Sequence, residues 1–179
     1  LDLSGVDPDQ RFGINQTLDA VAIGGSCRGI SIQPANDLAA VSAVSGGSVV
    51  LSLIDASDPD DLYEISRFDH GPYIGTDCGD LIVRDNLAVI TARDRGVVLM
   101  DISDRQAPFI MGRIETEYPA FDIELTAENK AIILTGDYSP NTKLADDGTG
   151  EVLIVDCADP SFPELSAIPV TASNLRLIG

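Results

Sequence analysis

The segment 136–150, GDYSPNTKLADDGTG, holds the acidic side chains best suited to binding a metal ion. Asp137, Asp146 and Asp147 offer hard oxygen donors next to flexible glycines, a combination that Ca²⁺ accepts. The segment lacks the D-x-D-x-D-G spacing and the closing glutamate of an EF-hand loop. We therefore interpret it as a solvated hairpin tip rather than a metal site, with Ca²⁺ binding that is at most weak, and we expect no other cofactor.

Candidate nucleophiles and general bases are few, because the chain has one histidine, His70, and three cysteines, Cys27, Cys78 and Cys157. Nucleophilic catalysis needs a base within hydrogen-bond reach and a third group that orients the base. No spacing in the sequence fixes such a geometry, and no G-x-S-x-G, H-E-x-x-H or phosphate-binding glycine loop occurs. A single histidine without a paired cysteine motif also argues against zinc. We assign no catalytic residue.

The charge of the chain restricts its partners. The 29 acidic and 11 basic residues give a net charge of −18. A field of this sign repels nucleic acid and anionic membranes, and the apolar stretches are too short to span a bilayer. The 44% of hydrophobic residues argues against disorder. These features indicate a folded protein with a solvated acidic surface, for which nucleic acid and membranes are poor candidate partners.

An apolar stretch that ends in aspartate and runs into a polar turn occurs four times. The closing residues are Asp2, Asp55, Asp101 and Asp156, in the segments LDLSGVDPD (1–9), LIDASDPDD (53–61), LMDISDRQAP (99–108) and IVDCADPSFP (154–163). A second pattern repeats between them, in RGISIQPANDLAAVSA (28–43), GDLIVRDNLAVITA (79–92) and AFDIELTAENKAIILTG (120–136).

Each repeat unit contains four short stretches rich in Val, Ile and Leu and bounded by turn residues, which predicts β-strands. In the order A to D along the unit, strand A is predicted at 30–32, 81–83, 121–125 and 175–178, strand B at 38–44, 87–92 and 131–135, strand C at 48–54, 96–100 and 151–155, and strand D at 12–18, 62–68, 109–114 and 165–170. Four antiparallel strands in a unit of this length are typical of an all-β fold built from β-propeller blades.

The turn after strand C has a physical explanation. In the pattern D-x-S-D-P, an aspartate can accept backbone N–H groups two residues ahead, and proline fixes φ as the chain leaves the strand. We predict that the carboxylates of Asp55 and Asp101 bond to backbone N–H groups of their own turns. Repetition of the motif in every unit favours this structural role over chemistry.

Two of the cysteines occupy equivalent places in the repeat. Cys27 and Cys78 each stand three residues before an apolar strand-A residue, where other units have Ala120 and Ala172. Because inner strands crowd around a propeller axis, we expect both to be small buried residues. A disulfide between neighbouring blades is the alternative. Cys157, in the turn after strand C, is expected to be a free thiol.

The strand-C motif resembles that of LVIVD-repeat proteins. It stands here as LSLIDASDP, VVLMDISDR and VLIVDCADP, with Arg105 in place of the usual proline. The resemblance implies a secreted or surface-anchored β-propeller, and therefore an extracellular or cell-surface location. It implies little about mechanism, because most such proteins have no assigned activity.

The connections between strands D and A, such as 69–78 and 115–120, gather on one face of a propeller. They carry His70, Tyr73 and Tyr118, and exposed aromatic side chains there would suit a partner surface. Packing of the tyrosines against the blades is the equal alternative.

The repeats place three full units at 28–68, 79–114 and 121–170, together with strands 12–18 and 175–178, in one partial propeller over 1–179. Because the chain lacks an initiating methionine, we expect it to begin within a longer protein. If strands 12–18 and 175–178 paired, a four-bladed ring would close. We favour about 3.3 blades of a propeller of about six to eight. Further chain or a neighbouring subunit would then cover the apolar ends.

Two functions remain open at this point. The first is a non-catalytic, extracellular interaction or structural module, whose partner is another protein or the remaining blades. The alternative is a segment of a propeller enzyme or ligand-binding protein whose active residues lie in other blades.

The first testable prediction concerns calcium. We expect at most weak Ca²⁺ binding, and only through Asp137, Asp146 and Asp147, because the segment lacks an EF-hand ligand set. Titration calorimetry measures this directly. Sub-micromolar affinity, or a metal bound at the turns after strand C, would contradict the prediction.

Overall fold

The computed structural model describes residues 20–69, 77–93, 96–136, 149–157 and 164–171. Within these ranges every regular element is a strand apart from one 3-10 turn at Pro34–Asn36, so the all-β prediction is confirmed. The strands are β1 Ser26–Gln33, β2 Leu38–Ser45, β3 Ser48–Asp55, β4 Tyr63–Asp69, β5 Leu81–Arg84, β6 Leu87–Thr91, β7 Val97–Asp101, β8 Phe109–Ile114, β9 Ala120–Leu125, β10 Lys130–Gly136, β11 Thr149–Asp156 and β12 Glu164–Thr171.

The strands form three antiparallel sheets of four, each connected in sequence order: β1 to β4, β5 to β8 and β9 to β12. These sheets are β-propeller blades, which we call the first, second and third blade. Strand C of each blade ends at the predicted aspartate, Asp55, Asp101 or Asp156. The predicted strands at 12–18 and 175–178 lie outside the described residues.

In the first and second blades, the aspartate that ends strand C holds the following turn, as predicted. Asp55 Oδ1 accepts the N–H of Ser57 at 2.9 Å, and Asp101 Oδ1 accepts the N–H of Ser103 at 2.7 Å. The hydroxyl of Ser57 also donates to Asp55 and is the main reason why the pKa of that carboxyl is lowered. The next aspartate repeats the arrangement, because Asp58 and Asp104 each accept an N–H two residues ahead at 2.9 Å.

The turn between strands A and B is tied to the end of strand C in each blade. Its left-handed residues are Asp37, Asp85 and Asn129, types that tolerate positive φ. The residue after each strand-C aspartate donates its N–H to the carbonyl of the residue before strand B. The bonds are Ala56 to Asp37 at 2.9 Å, Ile102 to Asn86 at 2.9 Å and Cys157 to Asn129 at 3.0 Å.

The core lies between blades rather than within one. We call the side of a blade that faces the preceding blade its front face, and the other side its back face. Leu51 and Leu53 on the back of the first blade pack with Leu81, Ile90 and Met100 on the front of the second.

The second interface repeats this arrangement. Val89 and Leu99 on the back of the second blade pack with Ile123, Ile133 and Leu153 on the front of the third. Both faces of the second blade are therefore buried, which explains its continuous apolar runs.

The inner strands of neighbouring blades approach closely. Ser31 Oγ on β1 accepts the N–H of Val83 on β5 at 2.9 Å. At Gly79, in the connection that leads into β5, a Cβ atom would lie 2.5 Å from Thr91 Oγ1 and 2.6 Å from the carbonyl oxygen of Phe121. Only glycine leaves room for the backbone of the third blade at this point.

Gly79→Ala should therefore destabilise the protein by roughly 1–3 kcal/mol, because the backbone of the third blade would have to move. Gly24→Ala is the matched control, since a Cβ atom there would have its nearest neighbour, Arg67 Nη2, at 3.7 Å. The control should change the free energy of unfolding by less than about 0.5 kcal/mol. Urea denaturation measures both values, and equal losses would refute the packing argument.

Candidate functional site

Charged side chains meet at the end of the blades where a strand D runs into the next strand A, which we call the D–A end. Asp77, in the connection that leads into β5, pairs with two arginines. Its Oδ1 lies 3.0 Å from Arg28 Nε of the first blade, and its Oδ2 lies 3.0 Å from Arg93 Nε of the second. All three side chains are part-exposed, so the pairs position the blades more than they stabilise them.

Arg93 also connects the second blade to the third. Its carbonyl accepts the N–H of Ala120 at 3.0 Å, in an isolated antiparallel bridge. The same connection is held at a second point, because the carbonyl of Pro119 accepts the N–H of Gly136 at 3.0 Å. The D–A connections of the second and third blades therefore converge on Arg93.

Of the three residues predicted for a partner surface, the structure describes Tyr118. It lies at the D–A end in the connection that Arg93 and Gly136 anchor, and it is half-buried. Its carbonyl accepts a hydrogen bond from the hydroxyl of Thr116 at 2.6 Å. His70 and Tyr73 lie outside the described residues, and their role in a partner surface stays a prediction.

The cysteines divide into buried and exposed thiols, and all three are free. Cys78 lies in the core between the first and second blades, and Cys157 in the core between the second and third. Burial raises the pKa of both thiols, which makes them poor nucleophiles at neutral pH. The expectation that Cys27 is buried is wrong. Cys27 lies on the front face of the first blade, which no described blade covers.

Two aspartates at the D–A end were missed by the sequence interpretation. Asp80 and Asp122 hold equivalent positions in the repeat. Asp80 directly precedes β5, and Asp122 lies within β9, directly before Ile123. Each accepts the N–H of the next residue, Leu81 at 2.8 Å and Ile123 at 3.1 Å. Burial raises the pKa of Asp80, and the nearby Asp122 and Glu124 raise it further. The recurrence of Asp in GDLIV and AFDIE was the signal that could have identified them.

The described ranges contain no group of three or more His, Cys, Asp or Glu side chains arranged to hold a metal ion. Asp137, Asp146 and Asp147 lie outside the described residues, and the expectation of at most weak Ca²⁺ binding through their segment stays a prediction. Similarly, no helix in the described part of the chain is long and apolar enough to cross a membrane.

The raised pKa of Asp80 gives a pH-dependent prediction. The folded state holds the proton more tightly than the unfolded state, so the ionised carboxylate lowers stability as pH rises from about 3.8 through the folded pKa. Asp80→Asn keeps an acceptor for the Leu81 N–H and removes the charge. We expect it to raise the free energy of unfolding at pH 7, and the gain to vanish below the unfolded pKa.

The control for Asp80→Asn is Asp60→Asn, which makes the same change in net charge at an exposed turn. Urea denaturation at several pH values should show a gain for Asp80→Asn that exceeds the control at pH 7. A loss of stability at pH 7 would contradict the assignment.

Comparison with known proteins supports the architecture. The crystal structure of the computationally designed Ika4 protein superposes with a TM-score of 0.51 at 12% identity, over 86% of this chain and 98% of that chain. At this identity the similarity shows the fold alone.

Regucalcin from Agrobacterium tumefaciens, described as a calcium-binding protein, superposes with a TM-score of 0.48 at 15% identity. The match covers 83% of this chain but only 45% of regucalcin. A search of curated proteins found no match.

The family model of the LVIVD repeat matches residues 75–116. This range contains the whole second blade, from β5 to β8, and the strand-C motif that ends at Asp101. The chain is thus built from β-propeller blades and carries an LVIVD repeat in the central one.

Proposed function

We propose that the chain is a non-catalytic interaction module of the cell exterior that presents its D–A end to a protein partner. The observation that carries the proposal is the convergence of the D–A connections on Arg93. Its side chain pairs with Asp77, and its carbonyl accepts the N–H of Ala120. Tyr118 lies in one of the connections fixed in this way.

The opposite end of the blades is held by arginines too. Arg84, at the end of β5, donates from Nη2 to the carbonyl of Leu125 at 2.8 Å and from Nη1 to the carbonyl of Thr126. Arg105 donates to the carbonyl of Asn36 in the first blade at 2.9 Å. A surface held from both ends loses little conformational entropy when it binds a partner.

The chemistry of the surface favours a partner with positive charge. The chain carries a net charge of −18, and Asp80 and Asp122 add carboxylates at the D–A end. Complementary charge speeds the encounter of two proteins and excludes acidic partners. Tyr118 would supply the aromatic contact that interfaces favour.

The test of the partner surface uses a photo-crosslinking amino acid in place of Tyr118, in cells that produce the protein. The control places the same amino acid at Tyr63, which is 53% exposed and lies at the start of β4, at the opposite end of the blade. We expect a specific crosslinked protein from position 118 and none from position 63. Equal crosslinking at both positions, or none at 118, would overturn the proposal.

The location is supported by the resemblance to LVIVD-repeat proteins and has its own test. Protease added to intact cells should remove the protein, while a cytoplasmic marker stays whole. Protection of the protein until the cells are lysed would contradict an exterior location, without bearing on the partner surface.

A further inference from the structure

The front face of the first blade differs from the same face of the other two blades. Ile30 and Ile32 on β1 are 63% and 62% exposed. The equivalent residues of the second blade, Leu81 and Val83, are 3% and 6% exposed because the first blade covers them. In the third blade, Ile123 is also buried, against the second. In the other two blades, the back face of the preceding blade covers this position.

The back face of the third blade shows the complementary difference. Ile132, Val152 and Ile154 are part-exposed, whereas the equivalent Val89, Val97 and Leu99 of the second blade are fully buried. The described blades thus form a stack with an uncovered front face at one end and an uncovered back face at the other. These are the two kinds of face that pack together between neighbouring blades.

The front face of the first blade also has the shape of a docking site. A cavity of about 460 Å³ lies beside Ile30, and its lining includes Val21, Ile23, Cys27 and Val41. An apolar concavity next to two exposed isoleucines is unusual on a monomer, because exposed apolar surface of this kind marks an interaction site.

We propose that the front face of the first blade binds the back face of the third blade of a second copy of this chain. The proposed contact continues the interface that already joins the first blade to the second and the second to the third. It is head-to-tail, so two copies can make it twice and close a ring. Two sets of three blades fall within the usual range of about four to eight.

The charge of the chain opposes this association and gives it a characteristic salt dependence. Two copies that each carry −18 repel one another, while the contact itself is apolar. Screening weakens the repulsion but leaves apolar burial in place. Association should therefore strengthen as salt is added. The proposal does not depend on the partner surface at the D–A end.

The experiment is sedimentation velocity on the full 179-residue chain, over a range of concentration and salt. We expect a dimer whose dissociation constant falls with added salt. The double variant Ile30→Glu/Ile32→Glu should raise that constant at least about 10-fold. Phe109→Glu/Ile110→Glu is the control, because these residues of β8 are also exposed and apolar but lie outside the proposed contact. It should dimerise like the parent chain.

A mixing experiment tests the head-to-tail direction. The double variant Ile132→Glu/Ile154→Glu, called the tail variant, alters the back face of the third blade and should also be monomeric alone. Mixed with the Ile30→Glu/Ile32→Glu variant, it should form a mixed dimer through the one junction that remains intact. Circular dichroism checks that each variant is folded, and Ile132→Thr/Ile154→Thr replaces the first tail variant if that one unfolds.

Three results would overturn the proposal. They are a parent chain that stays monomeric, a dimer whose dissociation constant does not change in the Ile30→Glu/Ile32→Glu variant, and a dimer that the folded tail variant forms on its own. A monomer would show that other segments of the same chain serve the front face. An unaided tail-variant dimer would show front-to-front pairing.

Discussion

The second blade carries apolar side chains on both faces of every inner strand, and no single blade can bury them alone. Along β6, Val89 points into one core while Ala88 and Ile90 point into the other. The second blade therefore depends on contact with both of its neighbours, as units do in other repeat architectures. This two-sided burial explains the close approach at Gly79, where a side chain would keep the second and third blades apart.

Because the faces are apolar, the charged side chains that join the blades lie at the strand ends. The arginines do this by reaching across to backbone carbonyls or carboxylates of a neighbouring blade. Arg105 is instructive, since it replaces the proline of the LVIVD motif and could be taken as a defect in the second blade. Instead its guanidinium donates to the carbonyl of Asn36 in the first blade. The turn itself is still held by Asp101 and Asp104, whose bonds do not need the proline.

Features of the protein that depend on neighbours in sequence were predictable, and features that depend on neighbours in space were less so. The strands and the bonds of Asp55 and Asp101 follow from short motifs, and the structure reproduces them. Cys27 and Cys78 look equivalent in the repeat, yet only Cys78 is buried, because burial requires a preceding blade. The Asp77 ion pairs join residues 49 and 16 positions apart, which no local pattern indicates.

Arg28 connects the D–A end with the front face of the first blade. Its side chain pairs with Asp77 at the D–A end, and the residue also lines the cavity on the front face of the first blade. A blade docked on that face would exclude water from around Arg28 and strengthen its attraction to Asp77, because charges interact more strongly away from solvent. Asp77 is shared with Arg93, where the D–A connections converge. Through Arg28, Asp77 therefore stands between the front face of the first blade and the D–A connections.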